Sequence, residues 1–131
     1  MNLRTLSLTA FALIALASAA FGQSSERIRF AAGNDNASAQ SAIRGDEYRD
    51  YVLEAREGQR MSVSLSTDGS AYFNILPPGS DGVAIYNSSI DGNDSSLFLP
   101  ATGAYRVRVY LMGADNSEGR SVRYTLSVGI T

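Results

Sequence analysis

Catalysis by a side chain needs a nucleophile, a proton carrier or a metal ligand, and this chain draws on a short menu of them. It has 13 Asp and Glu residues and 11 basic residues, all of them Arg, with no His, Cys or Trp. Without His or Cys, neither a Ser-His-Asp nor a Cys-His nucleophile can be assembled, and a zinc site of the usual His and Cys ligands is excluded. Paired carboxylates remain for glycoside chemistry, but Trp and His, common lining of sugar clefts, are missing. The side chains point to binding rather than catalysis, and no cofactor is assigned. Three clusters, "GNDN" (33 to 36), "SIDGND" (89 to 94) and "GADN" (113 to 116), have the oxygen ligands a hard cation such as calcium takes. None has the EF-hand spacing, and the same residues commonly make turns.

The densest polar group is "GADNSEGR", residues 113 to 120, where Asp115 and Glu118 stand against Arg120 for a net charge of −1. It lies between two alternating strand patterns and is longer than a tight hairpin needs. One reading is a solvated hairpin loop, with Gly113 and Gly119 supplying unusual backbone angles and Asp115 and Asn116 making local turn bonds. The others are a protein-binding loop and a cation site.

The elements that hold this tip read as strands throughout. Runs of period 2 alternate with turn clusters, and no window of a dozen residues has helical apolar spacing. Ile28 and Phe30 mark a first strand, and a weak segment follows at 38 to 43. Tyr51 and Leu53 face one way on the next strand, as do Met61, Val63 and Leu65 on the one after, with Ser62, Ser64 and Ser66 on a wet opposite face. "SAYFNIL" (70 to 76) reads as a buried strand stopped by Pro77 and Pro78. "VAIY" (83 to 86) is short, "NSSIDGNDSS" is a loop, and "LFLP" holds another short strand. Tyr105, Val107, Val109 and Leu111 point inward on a long strand, as do Val122, Tyr124, Leu126, Val128 and Ile130 on the last. Tyr48, Tyr51, Tyr105 and Tyr124 are expected to pack their rings in or near the core with hydroxyls at its edge. Arg106 and Arg108 fall on the outward face of the long strand, with Arg123 expected across from them as part of a charged face that discourages edge pairing. The fold class is all-β, a single antiparallel β-sandwich of about eight strands.

The N-terminus opens with Arg4, an apolar run from about Leu6 to Ala17, and small residues at "AFG". That is the pattern of a secretory signal peptide, residues 1–22, leaving a domain at 23–131. The run is well short of the roughly 20 residues a membrane span requires, and no later segment is apolar enough to serve. An exported chain without cysteine must rest on its core alone, which suits a bacterial periplasm. The formal charge of −2 becomes one unit more negative once Arg4 is removed, so no nucleic-acid partner is expected.

"GDEYRDYVLEAREGQRMSVSLS", "AYFNILPPGSD", "LPATGAYRVRVYLM" and "RYTLSVGI" resemble, in order and spacing, the periplasmic inhibitors of g-type lysozyme of Gram-negative bacteria. The wider pattern, a Tyr-rich strand with "EGQ", then "LPATGAY" and a closing "YTLSV", is also similar to pre-peptidase C-terminal β-sandwich modules. The first resemblance implies a non-catalytic sandwich that binds a g-type lysozyme, or another hydrolase, and blocks its cleft. The second implies an accessory envelope module, with calcium as a possible stabiliser. In the inhibitor family the hairpin matching 112 to 120 carries two basic residues that enter the cleft, and a tyrosine in the segment matching 45 to 48 assists them. Aligned without gaps, the basic positions fall on Gly113 and Ser117 and the tyrosine on Asp46, with Tyr48 two residues on. The candidate partner-binding residues are therefore Asp46, Tyr48, Gly113, Asp115, Asn116, Ser117, Glu118 and Arg120. Of these only Arg120 could reach a catalytic carboxylate as a replacement, and the net acidic tip would be repelled by it.

Overall fold

The computed structural model describes residues 23–30 and 35–131. The expected signal peptide at 1–22, and Gly33 and Asn34 of "GNDN", lie outside the described residues. Among those described, nine strands form: β1 (Gln23–Arg27), β2 (Asn36–Arg44), β3 (Tyr48–Ala55), β4 (Arg60–Thr67), β5 (Ala71–Leu76), β6 (Tyr86–Asn87), β7 (Asp94–Phe98), β8 (Gly103–Leu111) and β9 (Ser121–Ile130). Two short helical turns, α1 (Ser88–Asp91) and α2 (Gly113–Ser117), interrupt them. The strands make a five-stranded sheet ordered β1-β3-β8-β5-β6 and a four-stranded sheet ordered β2-β9-β4-β7. All pairs are antiparallel except β1 with β3.

The period of 2 in the sequence becomes the two sides of each sheet. Tyr51, Leu53, Phe73, Ile75, Tyr105, Val107, Val109 and Leu111 face inward from the five-stranded sheet, and Met61, Val63, Leu65, Val122, Tyr124, Leu126 and Val128 meet them from the other. Ser62, Ser64 and Ser66 are exposed, as their alternation requires. No helix among the described residues is long and apolar enough to cross a membrane.

Several local expectations are corrected. The first strand ends at Arg27, before Ile28, although Ile28 and Phe30 still pack against the core. "VAIY" contributes only Tyr86 to a strand, and β7 begins inside the expected loop. The loop also holds α1, where Asn87 accepts from the Ser89 N–H at 3.0 Å as an N-cap. A helix of one turn is too short to leave a periodic signal. Arg123 lies on β9, in the opposite sheet from Arg106 and Arg108, so the three do not share a face.

The tyrosines divide. Tyr105 is buried, its hydroxyl donating to the Ala101 carbonyl at 2.6 Å and accepting from the Ala101 N–H at 3.1 Å. Tyr51 and Tyr124 do not take their hydroxyls to the edge but meet each other in the core, oxygens 2.6 Å apart, rings edge-to-face at 87°. Tyr48 is outside the core altogether, half-buried on the outer surface of the five-stranded sheet. At the open side of the sandwich Arg49 ties the sheets together, donating to Ser24 of β1 at 3.0 Å and to Ser41 of β2 at 2.7 Å.

Burial pushes the ionisation of both Tyr51 and Tyr124 above the usual tyrosine range, and for Tyr124 the Tyr51 hydroxyl raises it further. The unfolded chain ionises its tyrosines near pH 10, so above that pH it binds fewer protons than the folded chain. Stability contributed by the pair is therefore complete below about pH 10 and is lost as pH rises beyond it. Urea unfolding between pH 8 and 11 is expected to show this decline, flattened in the Tyr51→Phe/Tyr124→Phe double variant. At neutral pH Tyr124→Phe alone strands a buried hydroxyl and should cost about 1–3 kcal/mol, more than the double variant's excess over either single change.

Candidate functional site

The tip is not an open hairpin loop. Met112 leaves β8 in extended geometry (φ −131°, ψ 171°), Gly113 takes φ +64°, and the chain then turns once as α2. The turn closes with the two bonds of a Schellman motif: Arg120 N–H to the Asp115 carbonyl at 3.0 Å and Gly119 N–H to the Asn116 carbonyl at 3.3 Å, with Gly119 at φ +66°. Gly119 as a helix stop is the one signal in "GADNSEGR" that could have revealed the turn.

Side chains fasten this turn to the sandwich. Asp115 is only 14% exposed, and its Oδ2 accepts from the Ser70 N–H at 2.7 Å, fixing the tip to the β4–β5 connection. The Asn116 amide donates to the Leu111 carbonyl at 3.0 Å. From the other side, Arg44 Nε donates to the Gly119 carbonyl at 3.1 Å and Gly45 N–H to the Arg120 carbonyl at 3.0 Å. Gly45 approaches so closely that a Cβ there would lie 3.2 Å from the Gly119 Cα. The chain between β2 and β3 is itself folded into a turn, with Glu47 N–H bonded to the Arg44 carbonyl and Glu47 Oε1 accepting from Arg44 N–H.

The two candidate segments, 46 to 48 and 113 to 120, are therefore brought together at one end of the sandwich. Gly113, Asn116, Ser117, Glu118 and Asp46 are exposed there. Arg120 does not reach out alone: its Nη2 donates to Glu118 Oε1 at 2.7 Å, and Nη1 stands 3.7 Å from Asp115 Oδ1. Asp115 is turned inward, while Glu118, paired with Arg120, and Asp46 face solvent at this end. One guanidinium serves both Asp115 and Glu118, so the turn keeps the net −1 of the sequence.

Tyr48 stands apart from the turn and belongs to a second cluster. Strand register sets Tyr48 opposite Tyr110 and Asp50 opposite Arg108, and on the other side Tyr72 opposite Tyr110 and Asn74 opposite Arg108. Arg108 grips the buried Asp50 with two bonds, 2.7 and 3.0 Å, and lies 4.1 Å over the Tyr48 ring. The Asp50 bonds strengthen the hold of Arg108 on its proton. Tyr110 donates toward Asn74 Oδ1 and Asn87 Oδ1, at 3.0 and 3.1 Å. Of these residues the sequence placed only Arg108 outward, and strand register makes them neighbours.

Of the cation clusters, the described residues hold no group of three or more His, Cys, Asp or Glu side chains. Asp115 is engaged with Ser70 and Arg120, and the Asn93 and Asn116 amides donate to the Ala71 and Leu111 carbonyls. Asp115→Ala is expected to free the Ser70 N–H and loosen the tip, costing about 1–2 kcal/mol. Hydrogen exchange should accelerate at residues 112 to 120 far more than in β4 or β9.

No protein-family model matches the chain. The inhibitor of g-type lysozyme from Escherichia coli (strain K12) is 28% identical over 105 residues, covering 79% of this chain and 78% of that protein. The crystal structure of Aeromonas hydrophila PliG, a periplasmic lysozyme inhibitor of g-type lysozyme, is 30% identical with a TM-score of 0.78, covering 83% of this chain and 97% of that one. The pre-peptidase C-terminal domain of collagenase from Bacillus anthracis shares the fold alone, at 12% identity and a TM-score of 0.58 over 82% of this chain and 94% of that one. With the Aeromonas hydrophila inhibitor matched at 30% identity over 97% of that chain, this chain belongs to the family of periplasmic inhibitors of g-type lysozyme.

Proposed function

We propose that this protein is exported to the periplasm with loss of residues 1–22, and that residues 23–131 there bind a g-type lysozyme and block its cleft without catalysis. The observation that carries the reading is the anchored tip: a helical turn held from both sides at the end of a sandwich of the inhibitor family. A plug that is already ordered loses little conformational freedom on binding, which favours affinity.

The partner contacts on this reading are Gly113, Asn116, Ser117 and Glu118 at the apex, with Asp46 and Arg120 beside them and Tyr48 on the adjoining sheet face, while Asp115 holds the tip from within. Because Gly113 and Ser117 replace basic residues, the plug acts by shape more than by an ion pair to a catalytic carboxylate. Arg120, holding Glu118 and Asp115, offsets part of the acidity that would repel such a carboxylate.

Calorimetry of residues 23–131 against g-type, c-type and i-type lysozymes, with lysis followed in parallel, tests this directly. Selective binding to the g-type enzyme with loss of lysis is expected, and the affinity should change little between low and moderate salt because the contact rests on shape rather than on ion pairs. Failure to bind the g-type enzyme would overturn the proposal. Arg120→Glu places a third acid beside Asp115 and Glu118 and should weaken the complex by about tenfold or more.

A further inference from the structure

The outer surfaces of the two sheets differ in kind. On the four-stranded sheet, register lines up small hydroxyl residues: Ser64 faces Ser127 and Ser66 faces Thr125. On the five-stranded sheet Tyr48, Tyr110 and Tyr72 form one row across three strands, with Arg108 in the next row. At the common strand spacing of about 4.8 Å the row spans roughly 10 Å. Met112 follows two residues after Tyr110 on extended backbone and so projects from the same surface, 44% exposed.

We propose that this aromatic surface, Tyr48, Tyr72, Tyr110, Arg108 and Met112, is a second contact area for the same lysozyme, gripping the enzyme beside the cleft that the tip enters. The inference rests on the inhibitor reading and deepens it. Three features favour a protein surface as the occupant. The area begins at Met112, the residue before the tip, so an enzyme seated on the tip is carried onto it. Its residue types are those that dominate the buried centres of protein interfaces, where Tyr, Arg and Met are enriched.

The third feature is order and charge. Arg108 is neutralised and held by Asp50, and the Tyr110 hydroxyl is held by Asn74 and Asn87. Tyr72 leans against Tyr110 with ring centres 6.4 Å apart. These groups lose little freedom when covered, and the surface carries no net charge to attract an anionic polymer. Such an area supplies the affinity that the missing basic residues of the tip do not.

The test is calorimetric titration of a g-type lysozyme into the wild-type protein, Tyr72→Ala, Met112→Ala and, as a control on the opposite sheet, Arg123→Ala. Melting curves establish that each variant is folded, and Met112, being exposed, is the safer substitution. Tyr72→Ala and Met112→Ala should each raise Kd by about tenfold or more, with Arg123→Ala within about twofold. If both retain wild-type affinity while Arg120→Glu weakens binding, the second contact area is refuted and the tip reading stands. If the wild-type protein does not bind the enzyme, both fall together. Soluble peptidoglycan fragments are titrated alongside: binding that Tyr72→Ala abolishes, with lysozyme affinity unchanged, would reassign the surface to glycan and overturn the proposal.

Discussion

Two tyrosine hydroxyls, 2.6 Å apart and sealed from water, join the sheets of this protein at the end where its candidate site lies. Tyr51 and Tyr124 are polar groups in a largely apolar core, and each gives the other a hydrogen-bond partner there, with Arg49 and Ser41 close by. The demand is mutual and directional, so it fixes how β3 and β9 face each other more sharply than apolar packing alone. In a chain without disulfides that constraint, with Arg49 bridging Ser24 and Ser41 at the open side, is what aligns the sheets.

The consequence reaches the tip through short tethers. β3 starts at Tyr48, three residues before Tyr51, and β9 starts at Ser121, three before Tyr124. Fixing those two tyrosines therefore fixes the turn before β3 against the turn before β9. The Arg44 and Gly45 bonds to Gly119 and Arg120 are possible because that separation is set, and α2 is locked in its turn.

Electrostatics follows from the same geometry. Asp115 satisfies the Ser70 N–H, Arg120 is taken up by Glu118 and Asp115, and Arg108 by Asp50. Of the charges around the tip, Asp46 faces solvent while Asp115, Glu118 and Arg120 hold one another. The tip that results is a rigid turn beside an aromatic sheet face.

What the sequence determined by itself was whatever depends on local periodicity and on which side chains exist. Alternation named the inward residues of β4, β8 and β9 correctly, because a side chain's side of a strand is set by parity and burial by polarity. The want of His and Cys removed whole classes of chemistry without any fold. The helical turns at 88–91 and 113–117 were not legible, since one turn has no period and is stabilised by contacts from distant residues such as Ser70 and Gly45. Nor could parity say that Arg123 lies on the other sheet, that Tyr48 sits outside under Arg108, or that Tyr51 and Tyr124 share a bond. Those are matters of strand order and register between residues up to 73 positions apart, and only the packed tertiary structure decides which strands become neighbours.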